Sequence, residues 1–392
     1  MNIIMLLASF LHVLTLAFLF SLTLVACKNN PNSNTFANSS PDTIAITDKL
    51  IEINVSDSGE LSAHDLSLFA KKLDGARIVG LGEQTHGAGS VFKLKTQLIK
   101  YLHKNHGYDL FILESGMYDV KKIWAEVKQG RRLKSLAPGN IFYMYANSEE
   151  LTPLFDYIDQ QANTHSSLTL VGFDSQHTGG ISNESLLDDL QLAVQSLPGN
   201  WLENTSWVTL KENLQQVLNT STKRLTMEQE QKFFEQLSTI SKSFLKQSQA
   251  SGSTGAREGN NGFWYRITKG LAAQAKRQWG ISDSRSQEMG ENIKWWAAQY
   301  PNKKILVWAH TWHLTKEGNN QINAGKVVSD AFGKDYYMVH FTGASGEYLD
   351  FISLNKKAVA IPNDNAIEKV VKKNNLANIQ FLNVGDINTK NS

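Results

Sequence analysis

Five short runs of this chain are apolar almost from end to end: residues 76–82 (ARIVGLG), 108–113 (YDLFIL), 167–173 (SLTLVGF), 304–309 (KILVWA) and 337–341 (YMVHF). Between them the apolar residues recur at helical spacing. Leu94, Leu98, Ile99 and Leu102 mark a helix over 91–105 that Gly107 ends; others run through Leu154, Tyr157 and Ile158, and through Met289, Ile293 and Trp296. A sheet with one wet face alternates apolar and polar residues, whereas a strand covered on both faces reads as a continuous apolar run. The expected fold is therefore α/β, a mainly parallel sheet flanked by helices. From about 183 to 284 the strand signal vanishes and long helical patterns replace it, broken at Ser251-Gly-Ser-Thr-Gly255. This stretch is expected to be an α-helical insert, or cap, over the sheet that shapes the ligand pocket.

The polar residues are placed where such a fold does chemistry. The first run leads into Gly82-Glu83-Gln84-Thr85-His86-Gly87, the second into Glu114-Ser115-Gly116, the third into Asp174-Ser175-Gln176-His177, and the fourth into His310-Thr311-Trp312-His313. In open parallel sheets, ligands bind in the crevice beyond the carboxyl ends of the strands. If the four runs are neighbours, their ends converge on one pocket. A carboxylate such as Glu114 at the end of an apolar strand is costly to bury without a partner.

The familiar hydrolytic signatures are missing. There is no Gly-x-Ser-x-Gly nucleophile elbow, no His-Glu-x-x-His and no Gly-Lys-[Ser/Thr]. Two chemistries fit the residue types that remain: a histidine acting as general base on water, or a divalent metal held by histidines and carboxylates. A non-catalytic binding protein on the same scaffold is a third reading.

At these residues the chain resembles the erythromycin esterase family. The family's opening Gly-Glu-x-Thr-His-Gly is matched at 82–87, and a following helix with Arg-Leu-Lys-like residues is matched by Phe92-Lys93-Leu94-Lys95. A strand ending in Glu is matched by Glu114. The late block is matched by Arg285, Met289, Asn292 and Trp308-Ala309-His310-Thr311-Trp312-His313. Departures are Ala88-Gly89-Ser90 where the family often has an acidic residue, Lys93 for Arg, and Thr311 for Asn. The resemblance implies a hydrolase that opens a small-molecule ester or lactone by water attack, with no metal or other cofactor. His86 would be the general base, and Glu83 and Glu114 orienting or charge-stabilising carboxylates. His310 and His313 would polarise the carbonyl or assist the leaving alkoxide. Lys93, Asp174, His177, Arg285 and Trp312 are expected to contact substrate.

The N-terminus supplies an address. Residues 3–26 are almost wholly apolar or small and end in Leu24-Val25-Ala26-Cys27, which looks like a bacterial lipobox, although no Lys or Arg precedes the run. Residues 28–45 continue as a polar, Asn/Ser/Pro-containing tether. The expected organisation is a lipoprotein signal (1–27) with lipid attached at Cys27, a tether (28–45) and the α/β domain (46–392). The body would lie outside the cytoplasm, tied to the membrane; an uncleaved anchor gives the same side. Cys27 is the chain's single cysteine, so no disulfide framework or cysteine-based metal site can form. A balance of 39 basic against 37 acidic residues argues against a nucleic-acid partner held by bulk positive charge.

Overall fold

The computed structural model describes residues 50–53, 56, 59–73, 75–202, 205–250, 261–317, 322–363, 366–369 and 379–382. The hydrophobic run, Cys27, the tether and residues 251–255 lie outside these.

In chain order the elements are β1 (Leu50–Ile53), α1 (Ala63–Lys72), β2 (Ile78–Glu83), α2 (Gly89–His106), β3 (Leu110–Gly116), α3 (Met117–Lys128), α4 (Leu133–Leu136), α5 (Tyr143–Ala146) and α6 (Thr152–Gln161). There follow β4 (Thr169–Asp174), α7 (Gly180–Gln195), α8 (Thr205–Leu218), α9 (Met227–Ala250), α10 (Asn261–Gln278) and α11 (Arg285–Gln299). The chain continues through β5 (Ile305–His310), α12 (Thr311–Leu314), α13 (Ala324–Phe332), β6 (Tyr336–Phe341), β7 (Glu347–Leu349), β8 (Lys356–Ala358) and β9 (Ile379–Leu382). Strands β2 to β6 form one parallel sheet in the order β4-β3-β5-β2-β6, so the α/β fold is as expected. Most strands start one or two residues later than the apolar runs suggest. β1 pairs with β9 and β7 with β8, both antiparallel.

The pleat splits the core in two. Ile78, Ile112, Phe173 and Val307 point to one face, where they meet buried residues of α7–α11 and α13. Val79, Leu81, Phe111, Leu113, Leu306 and Trp308 point to the other, against α1–α6. Burial of each large side chain stabilises by about 1.5–3 kcal/mol, so both faces need a helical layer. The helices α7–α10 are the insert, and the described residues between β4 and β5 contain no strand. They form part of one covering layer.

Two local features aim the site. β2 and β5 are adjacent, with Glu83 opposite His310, yet α2 after β2 packs on one face and α13 after β5 on the other. This divergence opens a crevice at their carboxyl ends, where a doubly wound sheet binds its ligand. In β3, the register to β4 jumps between Leu113 and Gly116, a bulge at Glu114-Ser115 that re-aims the Glu114 side chain.

Candidate active site

Glu83, on the last residue of β2, is fully buried. Its Oε2 pairs with Lys95 Nζ, its Oε1 accepts from the Tyr145 hydroxyl at 2.6 Å, and the same oxygen lies 3.3 Å from His86 Nδ1. Burial works to raise this carboxyl. The Lys95 ammonium, with the hydrogen bond and charge of His86, outweighs it and holds the group at about 2, down from 4.5. Lys95 is also fully buried, with its Nζ 3.9 Å from the Trp308 ring centroid; burial pushes it down to about 8 although Glu83 pulls upward.

His86 is 8% exposed. Its Nδ1 faces Glu83 and, at 3.2 Å, the Tyr145 oxygen, while Nε2 makes no hydrogen bond among the described residues. An aromatic collar surrounds the ring: Phe142 at 4.8 Å, His310 at 5.0 Å, Phe351 at 5.2 Å and Tyr145 at 5.8 Å between centroids. Gly87 permits the next contact. A Cβ there would fall 1.7 Å from the Leu349 carbonyl oxygen, so only glycine lets β7 lie against this loop.

Glu114 occupies the neighbouring position. Its Oε2 accepts the His310 backbone N–H at 2.7 Å and lies 3.3 Å from the Tyr145 hydroxyl. Its Oε1 is 3.3 Å from His313 Nε2 and 3.6 Å from Arg285. Burial would raise the carboxyl, but His313 by charge and hydrogen bond, then His86 and Arg285, place it well below the ordinary range. Arg285 itself is clamped in a bidentate pair with Asp174, at 2.9 and 2.6 Å. His313 Nδ1 meets the Ser286 hydroxyl at 3.0 Å, and that oxygen accepts the Ala324 N–H. His313 therefore has a hydrogen-bonding partner at each ring nitrogen, Ser286 at Nδ1 and Glu114 at Nε2.

His310 has less freedom than its place at a strand end suggests. Its Nδ1 accepts the Trp312 N–H at 3.1 Å and its Nε2–H meets the Gln84 carbonyl at 2.9 Å, which selects the neutral Nε2–H tautomer. Burial, then the charge of His86, lowers its pKa as well.

Thus the structure brings together Glu83, His86, Glu114, His313, Arg285 and Asp174, with His310 at their edge. Trp312 is 43% exposed, its ring 5.0 Å from that of His313. Two expected substrate contacts are placed elsewhere. Lys93 lies beside Gly59, and Lys95 enters the site in its stead. At 100° per residue, positions two apart face nearly opposite ways. Lys95 shares a stripe with Phe92, Leu98, Ile99 and Leu102, and that lone cation in an apolar stripe is the signal that identifies it. His177 is buried against Gly270, its backbone N–H on Gln274, with no hydrogen bond to either ring nitrogen among the described residues. Burial lowers it to about 4.

The site also contains Tyr145, which sequence reasoning missed. It is buried, and burial together with Glu83 and Glu114 raises its pKa well above the ordinary value, so it keeps the proton that bridges the two carboxylates. Among the described residues, α5, its neighbour Phe142 and the β7–β8 hairpin supply the collar around His86, instead of the expected cap.

Residues 103–387 match the sequence profile of the erythromycin esterase family. The chain belongs to the erythromycin esterase family. The matched span holds Glu114, Asp174, Arg285, His310 and His313, and begins after Glu83 and His86. Membership makes the protein an enzyme of the hydrolase class. The chain is 28% identical over 324 residues to "Putative hydrolase YbfO" of Bacillus subtilis (strain 168), covering 75% of this chain and 71% of that one. Among solved structures, a Bacillus cereus protein aligns with a TM-score of 0.64 at 21% identity, over 84% and 81% of the two chains. A point mutant of the erythromycin esterase EreC, in its open conformation, aligns at 0.61 and 16% identity, over 82% and 87%. At these identities the two structures show the fold the family shares.

Proposed function

We propose that this protein hydrolyses a carboxylic ester or lactone of a small molecule, with His86 as general base on water. The observation that supports this most is the asymmetry of the His86 ring. Nδ1–H is fixed toward a carboxylate with a strongly depressed pKa, which stabilises the imidazolium, and Nε2 keeps its lone pair. Nε2 takes a proton from water as the water oxygen bonds to the carbonyl carbon. The tetrahedral oxyanion then expels the alkoxide, which recovers the proton from His86. The products are an acid and an alcohol, or one hydroxy acid from a lactone.

The oxyanion needs donors aimed at it. Arg285 Nη1 retains donor capacity beyond its 3.4 Å approach to His313, so Arg285 serves this role, with His313 and Glu114 setting its position. His310, with both ring nitrogens engaged, acts by holding the Gln84 loop and flanking His86. Asp174 fixes Arg285, and Trp312 forms the wall of the mouth.

We propose further that the reaction uses no divalent ion. Each buried carboxylate already has a protein cation beside it, Lys95 on Glu83 and Arg285 near Glu114. Among the described residues no three His, Cys, Asp or Glu side chains are grouped to hold a metal. Chelator-treated enzyme should retain its full rate, and restoration by an added metal would favour a metal-dependent reaction.

The experiment that tests the reading is an assay of protein lacking residues 1–27 on aryl esters and macrolactones. Wild type should turn over at least one class, and His86→Ala about 10³-fold more slowly or slower still, with an unchanged circular dichroism spectrum. Equal turnover by the variant would sink the assignment, and ligand binding without turnover would favour the non-catalytic binding protein. We also propose lipid attachment at Cys27, with the body held outside the cytoplasm. Labelled fatty acid should enter the full-length chain in a bacterial host, and Cys27→Ala should abolish the label.

A further inference from the structure

His86 is only 8% exposed, and one of the four rings packed on it comes from a separate piece of chain. β7 and β8 form a two-stranded ribbon with Glu347 opposite Ala358 and Leu349 opposite Lys356. Its tip is built around Asp350, whose Oδ1 accepts from the Ser353 N–H at 2.7 Å and hydroxyl at 2.8 Å, and whose Oδ2 pairs with Lys357 at 2.8 Å. The Asp350 N–H and C=O close the turn on Asn355 and Leu354. The tip is therefore preorganised by its own bonds.

Among the described residues, three contacts moor it over the site. Leu349 N–H donates to the Gly87 carbonyl at 3.1 Å, the Tyr143 hydroxyl donates to the Phe351 carbonyl, and the Phe351 ring meets the His86 ring at 89°. A two-stranded ribbon is marginal on its own, and elements with few buried apolar contacts are the ones that open below the global unfolding cost. Phe351, Ile352 and Leu354 of the tip, Tyr143 bonded to it and Trp312 beside His313 are all large, apolar and at least 36% exposed.

We infer that Phe351 is a specificity-determining residue. Its ring occupies the place beside His86 that the apolar part of a bulky ester must take, and the ribbon moves as a unit to admit it. Small esters reach Nε2 past the ring. Bulky apolar ones displace it and bury their own surface against Tyr143, Ile352 and Trp312. This rests on the proposed hydrolytic reading for its substrate, though the covering of His86 is independent of it.

The test has two arms. In the first, diethyl pyrocarbonate modification of His86 is followed by mass spectrometry against the exposed His64 and His165 of the same molecule. Phe351→Ala should raise the His86 rate severalfold. Tyr143→Phe, which frees the ribbon and keeps the ring, should raise it by less. An unchanged rate in both variants overturns the covering role, whatever the enzyme hydrolyses. In the second arm, Phe351→Ala should raise kcat/KM for a long-chain naphthyl ester relative to the acetate by about tenfold or more, since one methylene in an apolar pocket is worth at least about that factor. Equal change for both esters overturns the specificity role. If wild type cleaves neither ester, the hydrolytic reading falls, and the modification arm still decides the cover.

Discussion

The site has two halves built from the same parts and wired differently. On the β2 side a buried carboxylate, Glu83, meets a cation and a histidine, and on the β3 side Glu114 does the same. On the first side the cation is a fully buried lysine whose ammonium pairs with Glu83, and the histidine keeps one nitrogen without a partner among the described residues. On the second the cation is an arginine clamped to Asp174, and His313 is satisfied at both nitrogens by Ser286 and Glu114. A fully bonded group is a scaffold, and a group with one unspent lone pair is a reagent. Similar composition therefore predicts different consequences for the two halves.

The sharpest way to break this contrast is to remove each histidine. His86→Ala should lower kcat/KM by about 10³-fold or more, the upper part of the range for a general base. His313→Asn, which keeps a hydrogen-bonding side chain beside Glu114, should lose at most about 100-fold. Steady-state kinetics on one ester decides it. Equal losses would mean that the halves share the proton transfer.

Stability separates the halves next. Lys95→Met leaves Glu83 buried without its cation, and breaking a buried pair in this way costs about 3–5 kcal/mol. The double variant Glu83→Gln/Lys95→Met should regain most of that in urea denaturation, because a neutral, filled site no longer carries an unpaired charge. It should regain no activity, since His86 Nδ1 then faces an amide. Asp174→Asn should cost less, about 2 kcal/mol, because Arg285 keeps Glu114 and retains some access to water. If Asp174→Asn proves the more destabilising, the second half is the tighter of the two.

Acid offers a smaller test of the first half. The folded-state pKa of Glu83 is depressed, to about 2 from 4.5. Its contribution is therefore present above the unfolded value and is lost as the pH falls from about 4.5 toward 2, where the unfolded chain binds the extra proton. The urea midpoint of wild type should fall over that window more steeply than that of Glu83→Gln. Parallel curves would show that Glu83 has no such depression.

Much of this arrangement is legible in the residues, for a physical reason. Doubly buried strands write their own location as apolar runs, and Glu83, Glu114, Asp174 and His310 follow directly because they end those runs. The late family block supplies Arg285 and His313. What a linear pattern cannot carry is which strands become neighbours. The placing of β5 between β2 and β3 brings His310 opposite Glu83, and only the sheet order reveals it. Tyr145 sits on the four-residue helix α5, too short for any periodicity to mark its inward face. The β7–β8 ribbon is similar: its strands are three residues each and largely exposed, so no apolar run announces it.

His177 shows the opposite error, a residue whose position promises more than its surroundings allow. It follows a strand that ends in Asp174, so proximity in sequence suggests a place in the pocket. The chain instead turns it inward, where the ring fills space against Gly270 and both nitrogens stay unbonded among the described residues. Burial holds it neutral down to about pH 4, so at neutral pH it carries no charge to offer a substrate. Replacing it by Leu removes two unsatisfied polar atoms and keeps roughly the same volume, the kind of change that costs little or even stabilises. The expected outcome is kcat and KM within about threefold of wild type and a melting temperature unchanged or raised, the smallest effect of the series. A selective rise in KM would return His177 to the binding surface and extend the second half of the site toward α10.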